Sequence, residues 1–348
     1  MESERKYQVF IVHPEKGILV TPEKWSSEPD PATAQCVAMV DMDTYRGLVI
    51  YKQHLKNPDE KRGRFEFDAA QQAAAIFHVD SLPGLVFRNP TVRDTFRMFD
   101  ARYQGLDEAI ELIDGSPLVG KSCWTCEEDP HPDALGNFAH NYMSWTVGSV
   151  SKDSPLDVRP VADLQITGKA KEEHKESYVV MIVDPDAGSL VTPAQWKDAP
   201  EPERARLVAL VNRQTGDVLV LSKELELNPL DPENGWYDYD DAQEAAEEFE
   251  DPSFPDFEFR NATREEANII YRHRFGVYDS LDEALALVGG DGIEDYTCWT
   301  CEPNPAPDGG LTAFCYSGSN REINIEKMTL TISVRPVARV SLKDFPVK

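Results

Sequence analysis

Three shortages limit what this chain can be: it has few cysteines, no long apolar run and too little positive charge. The chain has six cysteines, and the reducing conditions of a cytoplasm argue against structural disulfides between them. The opening MESERKYQVF has no apolar signal-peptide core. No stretch approaches the roughly 18 consecutive apolar residues of a membrane span. We therefore expect a cytoplasmic protein that does not enter a membrane.

The shortage of positive charge argues against two classes of partner. The chain has 35 Lys and Arg against 62 Asp and Glu, which gives a formal net charge of −27. Because contact with phosphate needs a basic face, we expect neither direct nucleic-acid binding nor docking on anionic membranes. The imbalance is uneven, since residues 171–348 hold 36 of the acidic and 17 of the basic residues and so carry −19.

Sequence signatures of catalysis are also missing. The chain contains no GxxxxGK[ST] phosphate loop, no HExxH metalloprotease motif and no GxSxG nucleophile elbow. Pairs of acids are so frequent in this composition that a solvated surface explains them better than paired acid–base catalysis. The sequence therefore favours a non-enzymatic protein, with an enzyme as the weaker alternative.

What the sequence does contain is a copy of itself. FIVHPEKGILVTPEKW at 10–25 returns as MIVDPDAGSLVTPAQW at 181–196, and the offset grows only from 171 to 176 along the repeat. Further pairs follow in the same order: FEFDAAQQAAAIF with YDYDDAQEAAEEF, LDEAIELI with LDEALALV, CWTC with CWTC, and VRPVA with VRPVA. We predict two homologous modules, residues 1–166 and the more acidic 177–348, joined by a polar linker at 167–176 and packed as a pseudo-dimer.

Each module is predicted to be α+β, with a mostly antiparallel sheet and about three helices. Short apolar strands and hairpins come first, Ala-rich and amphipathic helices follow, and strands return at the end. Asp68 and Asp240 are predicted to cap the Ala-rich helices, and Ser280 to cap LDEALALV. Cys36, which has no cysteine counterpart in the other copy, is expected in the core.

Four of the six cysteines stand in the two CWTC segments, which raises the question of a metal site. In both copies thirteen residues separate the second cysteine from a His or a Cys, the two residue types that exchange freely as zinc ligands. The predicted zinc ligands are Cys123, Cys126 and His140 in the first copy, and Cys298, Cys301 and Cys315 in the second. A fourth ligand is not evident: His131 could complete the first site but has Ala306 as its counterpart, Asp133 and Asp308 are candidates in both copies, or the four CWTC cysteines form one shared site.

Two other interpretations of CWTC compete with zinc. A redox Cys-x-x-Cys pair normally opens a helix, and the prolines that follow both copies oppose one. The interpretation that we favour is a buried strand, in which the cysteines and Trp124 or Trp299 pack in the core.

The acidic surplus is densest between residues 231 and 258, where aromatic residues interrupt it at intervals suited to folding. A folded anionic surface suits a basic site on another macromolecule. We therefore expect this protein to occupy the basic, nucleic-acid-binding site of a partner such as a nuclease, in the manner of an inhibitor, immunity or anti-defence protein. The alternative is a zinc-binding protein or zinc enzyme. The candidate partner-binding residues are Asp231, Glu233, Asp238, Asp240, Asp241, Glu244, Glu247, Glu248, Glu250 and Asp251.

Overall fold

The chain divides into two compact units, with the boundary at residues 172 and 173. A computed structural model describes residues 7–41, 46–118, 120–129, 136–141, 146–165, 178–231, 234–273, 280–293, 296–304, 312–317 and 322–345. The predicted linker at 167–176 lies outside the described residues. Within the described ranges, no helix is both long and apolar enough to cross a membrane.

The first unit is built on an antiparallel sheet. Its elements are β1 (Tyr7–Val12), β2 (Leu19–Val20), α1 (Pro22–Trp25), β3 (Cys36–Asp41), β4 (Arg46–Tyr51), α2 (Phe67–Ile76), β5 (Phe87–Arg88), α3 (Val92–Arg102), α4 (Leu106–Leu112), β6 (Ser122–Glu128), β7 (Gly136–Asn141), β8 (Thr146–Ser151) and β9 (Val161–Gln165). The strand order in the main sheet is β2-β1-β3-β4-β9-β5. Strands β6, β7 and β8 pair in sequence, also antiparallel.

The second unit repeats this order, except that the counterpart of β5 is reduced to an isolated bridge between Arg260 and Val337. Its elements are β10 (Tyr178–Val183), β11 (Leu190–Val191), α5 (Pro193–Trp196), β12 (Leu207–Asn212), β13 (Asp217–Ser222), α6 (Tyr239–Glu247), α7 (Arg264–Arg272), α8 (Leu281–Leu287), β14 (Thr297–Pro303), β15 (Thr312–Ser317), β16 (Glu322–Lys327) and β17 (Val337–Ser341). The main sheet runs β11-β10-β12-β13-β17, and β14, β15 and β16 pair in sequence. The α+β class and the antiparallel sheets are thus confirmed.

Both faces of the first main sheet are covered, which explains why β3 is buried along its whole length. Val37 and Met39 pack with Ile110 of α4 on one face. Cys36 and Ala38 face the other way, against a cluster that includes Phe87. The prediction that Cys36 lies in the core is confirmed. Strand β12 is buried throughout in the same way.

Helix starts were predicted with mixed success. Ser280 caps α8, and its hydroxyl accepts a hydrogen bond from the Glu283 backbone N–H at 3.0 Å. The predicted cap at Asp240 is wrong, because the helix begins earlier: Asp238 is the cap of α6 and accepts from the Asp241 N–H at 3.1 Å. Asp68 likewise lies inside the first turn of α2. Each unit also has a helix that the sequence analysis missed, the four-residue α1 or α5, which opens on a proline.

Candidate partner-binding groove

Both CWTC segments form strands in which the first cysteine and the tryptophan are buried, as the favoured interpretation predicted, whereas Cys126 and Cys301 are only partly buried. The Trp299 indole N–H in β14 donates to the Tyr237 carbonyl at 3.1 Å, and the Trp124 indole in β6 makes the same bond to the Phe65 carbonyl at 2.8 Å. Each tryptophan thereby fixes the chain just before the Ala-rich helix of its unit. CWTC is therefore part of the scaffold that supports α2 and α6.

The strand register changes which residues correspond between the two copies. Cys123 stands opposite His140, but Cys298 stands opposite Tyr316, and Cys315 stands opposite Trp299. Because directly paired residues share a face and neighbours along a strand alternate, Cys315 lies on the face opposite to Cys298. The equivalence of His140 and Cys315 is therefore wrong by one residue, and Tyr316 is the counterpart of His140.

This register places Cys298 and Cys315, two of the predicted zinc ligands of the second copy, on opposite faces of the sheet. Among the residues that the structure describes, no three His, Cys, Asp or Glu side chains are grouped in a way that could hold a metal ion. Burial raises the pKa of Cys123 to about 12 and the pKa values of Cys126 and Cys301 to about 11, whereas a metal ligand or redox nucleophile is a thiolate. Zinc binding at Cys123, Cys126 and His140 stays a prediction that the metal content of the purified protein tests.

Helix α6 is held by its buried side, so that its other side is available to solvent. The Asn261 side-chain amide donates to the Ala242 carbonyl at 2.8 Å, and the Gln243 amide donates to the Thr300 carbonyl at 3.2 Å. The Tyr239 ring meets Trp299 edge to face, with centroids 5.4 Å apart. These contacts fix the orientation of the helix and therefore also the side from which its outer carboxylates project.

A groove of about 460 Å³ lies between α6 and the loop that precedes it. On the loop side, Leu227 and Leu230 are 71% and 88% exposed, which is unusual for leucine. On the helix side, Asp241, Glu244 and Glu248 follow one another at a spacing of three and four residues, so they share one face of the helix. The groove therefore has one apolar and one acidic wall.

The loop is fixed by its own hydrogen bonds. The Asn228 side-chain amide donates to the Trp236 carbonyl at 2.7 Å, and its side-chain oxygen accepts from the Leu230 N–H at 2.8 Å. Gly235 has φ of +70°, and a Cβ at that position would lie 2.6 Å from a methyl carbon of Leu227. The backbone that carries the two exposed leucines is thus fixed by the unit itself.

The described charged residues that line the groove are all acidic. Its described lining residues include four carboxylates, with Glu226 as the fourth, and no lysine or arginine. Burial, followed by repulsion from Glu226, Asp241 and Glu248, raises the pKa of the Tyr237 phenol, so these three carboxylates converge on one place. Arg206 lies over the ring of Phe249, a lining residue, and 3.6 Å from Asp251. Its charge opposes the rise in the pKa of Glu226 that burial causes. Four lining carboxylates against this cation leave the groove net negative.

The structure sorts the predicted partner-binding residues into groups. Asp241, Glu244 and Glu248 line the groove. Asp240, Glu247 and Glu250 are exposed outside its lining. Three others have structural tasks or are covered: Asp238 caps α6, Asp231 accepts from the Asn234 amide, and Asp251 is buried. Glu233 lies outside the described residues.

The first unit has the same scaffold and different walls. Ala69, Gln72 and Ile76 stand on α2 where the second unit has its acidic row, and Lys56 and Asp59 stand in place of the two leucines. The bonds below are equivalent: the Asn89 amide donates to the Ala70 carbonyl at 3.1 Å, and the Gln71 amide donates to the Thr125 carbonyl at 2.9 Å. At this helix and its loop, the supporting hydrogen bonds are thus kept and the outward side chains differ.

Sequence reasoning missed Leu227 and Leu230. Both lie in a segment that also contains Asn228, Pro229 and Gly235, and such segments are normally assigned as polar turns. The signal that could have found them is the comparison of the copies position by position, in which charged residues of one copy become leucines in the other.

Comparisons with known proteins add no identification. No protein-family model matches the chain, and no curated protein shows significant similarity to it.

Proposed function

We propose that this protein acts by binding, and that the anionic surface of the second unit occupies a basic, nucleic-acid-binding site on a partner protein, as an inhibitor or immunity protein does. The observation that carries the proposal is the preorganised acidic row Asp241, Glu244 and Glu248 on a helix that is fixed from below. None of the three has a salt-bridge partner among the described residues. A cationic partner would supply the missing counter-charges.

Part of this arrangement is unfavourable for the free protein, although the helix dipole stabilises Asp241 in the first turn of α6. Like charges three and four residues apart on a helix repel one another. Glu247 and Glu248, at the C-terminal end of α6, also oppose the helix dipole. The first unit builds the same helix without these charges, so folding does not require them. Residues that cost stability and are absent from the equivalent scaffold are typical of a binding site.

Competition with nucleic acid tests the proposal. The full chain is titrated into a fluorescent DNA duplex bound to a basic nuclease or to linker histone, and release is followed by anisotropy. Because salt also weakens the DNA complex, its affinity is measured at each salt concentration and used to convert release into the affinity of the chain for the basic protein. We expect this affinity to fall steeply between about 0.01 M and about 0.15 M salt, because the Debye length falls from about 30 Å to about 8 Å over this range. No release at either salt concentration, or an affinity that does not change with salt, would contradict the proposal.

We also propose that the two units pack as a pseudo-dimer. This proposal is based on the sequence duplication alone. The location in the cytoplasm and the absence of direct nucleic-acid or membrane binding are also proposals, based on the composition.

A further inference from the structure

The groove of the second unit contains more apolar surface than a purely electrostatic site needs. Leu227 and Leu230 stand exposed on its loop wall, and Ala245 and Phe249 lie along its helix wall. A surface that only mimics nucleic acid does not need leucines, because a phosphate-binding site recognises phosphate by charge and hydrogen bonds. The apolar wall therefore requires an explanation of its own.

The loop behind the groove turns instead of presenting an extended strand edge, because Pro229 has no backbone N–H and the Asp231 N–H donates to the Asn228 carbonyl at 3.1 Å. The backbone N–H of Glu226 is already bonded to the Val334 carbonyl at 2.9 Å, and that of Asn228 to the Gly235 carbonyl at 3.3 Å. Strand addition needs unpaired backbone groups, whereas a helix placed in a groove brings its own backbone bonds. The geometry thus favours a helix as the occupant.

The charge and length of the acidic wall agree with a helical occupant. From Asp241 to Glu248 the row covers about 10 Å, at 1.5 Å of rise per residue. A partner helix with lysine or arginine along one side repeats its charges at a similar pitch, and its adjacent apolar side would meet the leucines. An apolar groove rimmed by carboxylates is complementary to such a helix in both respects.

We infer that the groove formed by α6 and residues 226–230 binds a basic amphipathic helix of the partner protein, whose apolar side packs on Leu227 and Leu230. This inference rests on the proposed function and adds to it the kind of element that is recognised. It also assigns separate tasks to the two walls: the carboxylates attract the partner, and the leucines select its amphipathic shape.

The probe is a synthetic peptide of about five helical turns, at 3.6 residues per turn, with leucines on one face and lysines on the rest. A scrambled peptide of the same composition has the same charge and no apolar face. Both carry a fluorophore, and their affinities for the full chain are measured by anisotropy. We expect the amphipathic peptide to bind at least about tenfold tighter than the scrambled one.

Two sets of variants separate the walls. L227K/L230D installs the residues of the first unit without changing the net charge, and we expect it to abolish the preference between the peptides while leaving the scrambled peptide's affinity within about twofold. D241A/E244Q/E248Q removes three charges from the groove. D240N/E247A/E250Q removes three charges outside it and is the matched control, which we expect to weaken binding less.

The outcomes are distinguishable. If both peptides bind equally with strong salt dependence and L227K/L230D changes nothing, the helix inference fails and the proposed function stands. If neither peptide binds at about 0.01 M salt, both fail. Circular dichroism and thermal midpoints check that each variant is folded; the exposure of both leucines indicates that L227K/L230D will be.

Discussion

The Ala-rich helices α2 and α6 are held by equivalent contacts on their buried sides, and they carry opposite chemistry on their exposed sides. Under each lie a CWTC tryptophan, an asparagine amide bonded to the helix and a glutamine amide bonded to the strand. Above α2 the loop is charged and the helix bears the exposed Ile76; above α6 the loop bears leucines and the helix bears the charge. Duplication has kept the scaffold and changed the surface, which is where binding specificity is determined.

The largest expected effect tests the shared scaffold. Trp299→Ala and Trp124→Ala each remove a fully buried indole and its hydrogen bond, so each should lower the free energy of unfolding of its own unit by about 3–5 kcal/mol. Urea denaturation followed by hydrogen exchange in each unit measures the losses. A cost under about 1 kcal/mol for only one of the two would show that the supports are not equivalent.

The next-largest effect concerns a buried position at which the two units have different residues. Burial, and then Arg159 and Lys121, lower the pKa of His54 to about 2, whereas Leu225 stands at the equivalent position. Since the unfolded chain takes up a proton near pH 6.5 that the folded chain refuses, stability falls as the pH drops below that value, by about 1.4 kcal/mol per pH unit from this group.

His54→Leu should remove this contribution, because the leucine of the second unit cannot be protonated. Unfolding free energies of both proteins, measured at several pH values from 7 to about 5, where the unperturbed His is charged, give the difference. If the two proteins lose stability in parallel on acidification, His54 does not stay neutral in the folded unit.

The smallest effect tests the cost of the acidic row. Glu248→Gln removes a negative charge from the C-terminal end of α6, so it should raise the free energy of unfolding by about 0.3–1 kcal/mol at low salt. Ile76→Glu places the same charge at the end of α2 and should lower it by a similar amount. Urea denaturation at low and high salt tests both, and a destabilising Glu248→Gln would mean that this glutamate is structural.

The sequence predicts the secondary-structure elements better than the register in which the strands pair. Strands, hairpins and the Ser280 cap follow from local patterns of apolar and capping residues, so one chain is enough to find them. The partner of Cys298 depends on how the strands β14 and β15 align, and a shift of one residue exchanges Cys315 for Tyr316 on that face. Spacing along the chain does not contain this information.

The groove could be predicted only in part. The acidic segment is visible in the sequence, and Asp241, Glu244 and Glu248 were among its candidates. Which face of α6 lies next to the loop depends on how the helix packs on Trp299 and Asn261, and this packing places Asp240 and Glu247 outside the groove lining. That Asp251 is buried beside Arg206 follows from tertiary packing, which the composition of the segment does not reveal.

The most direct test of the central claim transfers the groove to the other unit. The variant Lys56→Leu, Asp59→Leu, Ala69→Asp, Gln72→Glu and Ile76→Glu gives the first unit the two leucines and the acidic row of the second, on a scaffold that already has the same supports. Isothermal titration calorimetry with the amphipathic peptide then counts the sites. We predict one site in the natural chain and a second site of similar affinity in the variant; an unchanged stoichiometry would contradict the claim that these outward side chains are what makes the second unit bind.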